Sequence, residues 1–435
     1  MKWYVGVIIL LIVALVLQLG LLIYALGVLL ALLLISRFLA RVWMENLRVR
    51  RKCNLESAQV GDTLHVQVTV QNDGRIPVPW VLVEDILPRK ALRQRPPRLK
   101  VKGKRIKLAM IGSQGKATLK YELEFQMRGY YQVGPLTLEG GDLFGLHRRF
   151  RVGTEPHFVL VYPKVLPLKS YDIASRRPIG EIRLMHKLYE DPTRIGGVRL
   201  YQMGDPLNRV HWRATARTLV LHSKIYEPST IAGATILLDF HVGAYHARGE
   251  PYRSELAVTA AASLANALFQ MNQQVGLITN GRDASERIRL EGWDGDYRTR
   301  QAAKQKAAEV DPNDRLQPLV VETRRGPEQL QRILETLARV ELTDGLAFPE
   351  LVVETSHRMP RDATIIALLG DVTPETALAL GNLRRQGLAV SAILMIFEEK
   401  PYEAAYARLA AEGIEVRHVR DEAGISDMCE RQTLR

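Results

Sequence analysis

The first forty residues constrain this chain more than any other stretch. From Val5 to Ile35 every residue is apolar apart from Gln18 and Tyr24, a run of about 31 residues. As one helix it would be about 46 Å long, against a hydrocarbon core of about 30 Å. Residues 1–40 therefore read as a membrane segment, either a tight hairpin turning near Gln18–Gly20 or one tilted span. A cleaved signal peptide does not fit, because the run is too long and no small-residue cleavage site follows it. Arg37, Arg41, Arg48, Arg50, Arg51 and Lys52 come next. Such a cluster keeps its side of a cell membrane cytoplasmic, so the soluble body is expected to face the cytoplasm.

The net charge of +13 asks for an anionic partner: membrane lipid, an acidic protein or nucleic acid. Basic residues concentrate beside the apolar run and between Arg89 and Lys107, a stretch without interleaved aromatics. That pattern suits lipid headgroups and argues against nucleic acid. The Arg89–Lys107 stretch reads as a solvated hairpin tip or as a lipid contact. Cys53 and Cys429 are the only cysteines, with no metal or redox spacing.

Residues 46–165 read as a β-sandwich. Leu64–Val70 and Leu119–Phe125 alternate apolar and polar residues, as half-buried strands do, and Asn72-Asp73-Gly74 and Gly140-Gly141-Asp142 supply turns. Residues 166–232 form a connector. From 233 to 420 short apolar strands (Ala234–Asp239, Val275–Thr279, Ala363–Leu369, Leu388–Phe397, Ile414–Val419) alternate with helical segments, which predicts a mostly parallel α/β sheet. Residues 291–318 look like a charged insertion and 421–435 like a tail. Ligands of such sheets meet the carboxyl ends of the strands, where Asp239, His241 and Asp371 fall. These are the candidate metal ligands.

The connector holds the most distinctive motif, running from Arg194 to Glu227. Gly204-Asp205-Pro206 reads as a helix start, with Asp205 as cap and Pro206 at the first helical position. Arg209, Arg213 and Arg217 then recur every four residues along one helix face, beside Trp212. Either this surface docks a partner, or its arginines pair with nearby acids and Trp212 enters the core.

Together these residues resemble a bacterial family, the domain of unknown function 58. The resemblance rests on Arg199-x-Tyr201, Gly204-Asp205, Arg209-x-x-Trp212, Ala216-Arg217, Leu219–Tyr226 and Leu237-Leu238-Asp239. Arg128-Gly129-Tyr130, Gly134-Pro135 and Asp142-Leu143-Phe144-Gly145 extend it. It implies a membrane-anchored β-sandwich followed by a von Willebrand factor A-like domain, working with a MoxR-type AAA+ ATPase. Magnesium-binding members of the A-like fold use Asp-x-Ser-x-Ser, but here the segment reads Asp239-Phe240-His241-Val242-Gly243. Imidazole replaces one hydroxyl and the other is missing, a poor donor set for an ion that wants six oxygens, so no Mg²⁺ or other cofactor is expected. No phosphate-binding loop, nucleophile elbow or His-Glu-x-x-His helix is present. The expectation is a non-enzymatic membrane-tethered adaptor; a metal-dependent enzyme built on Asp239 and Asp371 is the alternative.

Overall fold

The computed structural model describes residues 2–88, 91–92, 94–142, 145, 147–168, 190–202, 210–228, 233–285, 317–360 and 363–428. These fall into two compact units, one built mainly on residues 1–164 and the other on most of the remainder.

The first unit begins with two antiparallel helices, α1 (Lys2–Val16) and α2 (Gly20–Glu45). The chain reverses at Leu17–Leu19, where Gln18 takes φ 52°. α1 spans about 22 Å and cannot cross a bilayer by itself, whereas α2 is long and apolar enough to do so. The Tyr4 hydroxyl donates to the Leu33 carbonyl at 3.1 Å, which pins the start of α1 beside the middle of α2.

α2 does not end in a linker. Asn46 alone separates it from β1 (Leu47–Cys53), and Trp43, Met44 and Leu47 belong to the core of the strands that follow. Arg151 satisfies the open end of the helix by donating to the Met44 and Leu47 carbonyls, each at 3.1 Å.

The strands are β2 (Ser57–Gln59), β3 (Thr63–Asn72), β4 (Val78–Asp85), β5 (Leu99–Gly103), β6 (Ile106–Ile111), β7 (Lys116–Phe125), β8 (Gly129–Val133), β9 (Leu136–Gly141), β10 (Arg148–Thr154) and β11 (His157–Tyr162). They form two four-stranded antiparallel sheets, β1-β3-β7-β5 and β10-β9-β4-β6, and a three-stranded sheet β2-β11-β8. Leu64, Val66 and Leu123 of the first sheet share one core with Val81, Val83 and Leu138 of the second. Parts of the basic stretch Arg89–Lys107, expected as a hairpin tip or a lipid contact, are strand. Its Leu99–Gly103 and Ile106–Ile111 segments join different sheets, because period-two alternation outweighs the charge density.

A buried ion pair crosses this core. Arg51 contacts the Asp85 carboxylate, whose other oxygen accepts from the Tyr121 hydroxyl at 2.7 Å. Arg51 also donates to the Val133 and Glu155 carbonyls at 3.0 and 2.8 Å. Gly134 takes φ +99°, and a Cβ there would collide with the Arg51 guanidinium, which explains glycine in the Gly134-Pro135 motif.

A polar joint ties the hairpin to the strands. The Ser36 hydroxyl donates to Asp142 at 2.5 Å, His147 Nε2 meets the Tyr4 hydroxyl at 2.5 Å, and Trp80 Nε1 donates to the Asp142 carbonyl at 3.0 Å. Burial works against the Asp142 charge, but the Ser36 hydroxyl, the His147 backbone N–H and the imidazole hold its carboxyl below the ordinary value. A depressed carboxylate contributes stability above its unfolded pKa of about 3.9 and loses it as pH falls through the native value. Asp142→Ala should remove about 1.5–3 kcal/mol, the worth of hydrogen bonds to a charged group. Amide exchange at residues 147–151 in detergent micelles measures this, and unchanged protection would contradict it.

The second unit is a six-stranded mixed sheet. An arm of two strands, β12 (Glu190–Leu200) and β13 (His222–Pro228), precedes the sheet strands β14 (Gly233–Leu238), β15 (Gln274–Thr279), β16 (Leu319–Arg324), β17 (Thr364–Leu369), β18 (Ala389–Leu394) and β19 (Glu415–His418), which lie in the order β16-β15-β14-β17-β18-β19. Five strands run parallel, and β16 pairs antiparallel to β15 at one edge. The parallel strands β14 and β17 are buried along their whole length, which is why they read as unbroken apolar runs. The segment expected to be a tail contains a short helix, Glu422–Asp427, held by buried Ile425.

Candidate functional site

Two places in the second unit hold the candidate residues. The first is the carboxyl end of the sheet. Asp239 follows β14 and is only 4% exposed, while Asp371, just beyond β17, is exposed. Asp239 Oδ1 accepts from Asn280 Nδ2 at 3.0 Å and from the His241 N–H at 3.2 Å. Asn280 in turn donates to the Leu346 carbonyl at 3.0 Å and accepts from the Phe240 N–H at 2.6 Å. His241 Nδ1 accepts from the Gly243 N–H at 3.0 Å, and Asp371 accepts from the Val372 N–H at 2.8 Å.

Burial pushes the Asp239 carboxyl up to about 6; its hydrogen bonds and His241 oppose the shift, and Asp371 adds to it. These residues do not fit a hard cation. Beside the two acids the set offers an imidazole and no hydroxyl, and no three metal-binding side chains converge among the described residues. The cluster organises strand ends. Asn280 was not singled out in the sequence, although an amide directly after an apolar strand was the available signal.

The second place is an arm that carries the motif. β12 (Glu190–Leu200) and β13 (His222–Pro228) form a two-stranded ribbon, and α3 (Trp212–Thr218) lies between them in the chain. The expected helix start, Gly204-Asp205-Pro206, and Arg209 lie outside the described residues; Val210 bridges to Ser223, and the His211 side chain caps α3 by accepting from the Ala214 N–H. A β-type partner for Val210 stops the helix from extending backwards.

Trp212 is 68% exposed, so it is not a core residue. Arg213 and Arg217 are exposed and make no ion pair among the described residues. Arg194 lies in the backbone of β12, Arg199 is half-buried beside the Leu200 carbonyl, and the Tyr201 N–H donates to the Leu221 carbonyl at 2.9 Å. The helix ends at Leu219, which adopts the left-handed conformation at φ 59° and is 91% exposed, followed by exposed Val220 and Leu221. Left-handed leucine is costly, and three consecutive exposed aliphatic residues beside a tryptophan are unusual on a monomer surface.

The chain is similar to Uncharacterized protein YeaD of Bacillus subtilis (strain 168), 23% identical over 254 residues. The match covers 58% of this chain and 60% of that protein's length. Among solved structures, the CARDB domain of a Pyrococcus furiosus protein in complex with di-metal ions is 17% identical with TM-score 0.18, covering 26% of this chain and 91% of that one. Proximal thread matrix protein 1 from the mussel byssus is 9% identical with TM-score 0.30, covering 46% and 45%. Residues 197–342, from the arm through the first strands of the mixed sheet, match the family described as Protein of unknown function DUF58.

Proposed function

We propose that this chain is a membrane-tethered, non-enzymatic interaction protein whose arm docks a partner in the cytoplasm. The observation that carries the reading is Trp212, 68% exposed at the start of a short helix that also carries exposed Arg213 and ends at the exposed Leu219–Leu221 triplet. Tryptophan and arginine dominate interface hot spots, and an apolar centre with a basic rim suits a partner whose groove is acid-lined.

Three further elements of the reading are proposals of the same standing. The hairpin anchors the chain, and Arg37, Arg41 and Arg48 keep the body cytoplasmic by the positive-inside rule. The mixed sheet is a von Willebrand A-like domain that uses packing at its strand ends where metal-binding relatives use an ion. A MoxR-type AAA+ ATPase is the partner that the family resemblance points to.

Affinity purification from solubilised membranes tests the docking surface. Trp212→Ala and Arg213→Glu should each weaken capture of the partner about 30-fold or more, the effect of a hot-spot residue, with thermal midpoints unchanged. Equal capture by wild type and both variants would refute the role of the arm.

A further inference from the structure

An antiparallel sheet with one face turned from the core normally carries polar residues there. The β10-β9-β4-β6 sheet departs from this. Its inward positions Val81, Val83, Leu136 and Leu138 are buried in the shared core. Alternation puts Trp80 and Leu82 on the opposite face, where Leu82 pairs with Leu108 and Glu139 pairs with Phe150. Leu108 is 66% exposed and Met110, two residues along the same face, is 77% exposed.

The acids on this face are compensated. Glu139 lies 3.8 Å from Arg148, and buried Glu84 lies 3.8 Å from Arg105. Exposed Lys104 and half-buried Arg105 precede Ile106 and leave that end of the face basic.

The course of α2 indicates what meets this face. Leu47 pairs with Asn72 in the first sheet. A Cβ on Gly140 of the second sheet would lie 3.0 Å from the Met44 terminal methyl, and Ser36 is bonded to Asp142 just beyond β9. Followed towards its start, α2 crosses the end of the strands from the first sheet to the second. Its apolar part leaves beside the second sheet.

We infer that the outer face of the β10-β9-β4-β6 sheet rests on an anionic lipid surface, with Leu108 and Met110 at the headgroup boundary and Lys104 and Arg105 on acidic headgroups. The inference rests on the hairpin being a membrane anchor. A second copy of the chain is disfavoured as the occupant, because it would set the same basic rim against itself. Lipid supplies both the apolar layer and the negative charge, next to a helix made for that layer.

The test uses the full chain with Cys53→Ser and Cys429→Ser, carrying one new cysteine at Leu108, Met110, Lys120 or Leu34. Each is labelled with an environment-sensitive fluorophore and reconstituted in nanodiscs of phosphatidylglycerol and brominated phosphatidylcholine. Lys120 is an exposed residue on the outer face of the other sheet, and Leu34 lies on α2. The expected result is roughly twofold or stronger quenching at positions 108, 110 and 34 and none at 120. Quenching at 34 with 108 and 110 no different from 120 would overturn the inference and leave the anchor standing. No quenching at 34 would remove the anchor and the inference with it.

Discussion

Arg51→Leu should destabilise the strand-rich unit by about 3–5 kcal/mol, the largest effect expected of any single change in this chain. The reason is what the substitution leaves behind. Side chains of both partners are almost wholly buried, at 5% exposure for Arg51 and 0% for Asp85. Burial pushes the Asp85 carboxyl up, and the Arg51 charge and Tyr121 hydroxyl are what oppose that shift. Without Arg51 the carboxyl keeps one hydrogen bond from Tyr121 in an apolar core, and the Val133 and Glu155 carbonyls lose their donor. Arg51→Leu combined with Asp85→Leu should recover part of the loss, since removing both charges deletes the desolvation cost together with the attraction. Denaturant unfolding in micelles, followed by tryptophan fluorescence, gives both numbers. A single substitution costing less than about 1 kcal/mol would show the pair to be solvated.

Asp239→Asn should stabilise the α/β unit at pH 7.5 and flatten its pH dependence. Asp239 titrates at about 6 in the folded chain, against about 3.9 unfolded. A carboxyl raised by folding leaves stability whole below the unfolded pKa. The penalty then accrues as pH rises, and it is complete once pH exceeds the native value. The gap of about two units corresponds to roughly 3 kcal/mol at neutral pH. Asparagine keeps an acceptor for Asn280 and for the His241 N–H while carrying no charge. Thermal midpoints between pH 4.5 and 7.5 should fall for wild type and stay level for the variant. If Mg²⁺ raised the wild-type midpoint at pH 7.5 and not that of the variant, Asp239 would be a ligand and the structural account would fail.

How much of this was legible in the sequence depended on whether a residue's environment is local. β14, β17 and β18 could be read as strands because burial on both faces writes itself as an apolar run. Leu319–Arg324 was not read as a strand. Its edge position leaves it half-buried, so the chain carries charge at Glu322 and Arg324. The start of the arm's helix at Trp212, behind the His211 cap, follows a bridge from Val210 to Ser223, which is a tertiary fact. Exposure of Trp212 was equally hidden, since tryptophan serves cores and interfaces alike. The Leu219–Leu221 triplet behind a basic helix was visible and would have pointed outward. Asp239 and Asp371 were found from strand ends alone, but the hydrogen bonding of Asp239 depends on Asn280, a strand away.

If α2 spans a membrane, its continuity with β1 also sets an order of events during synthesis. Trp43, Met44 and Leu47 complete one end of the hydrophobic core, yet they emerge directly behind the apolar helix. The strands close around residues that the insertion machinery must first release. A chain whose hairpin stalled before insertion would hold that end of the core open and expose it to proteolysis. Anchoring and folding are in this way one checkpoint, and a version cut free at Leu47 would lack the plug that seals its own interior.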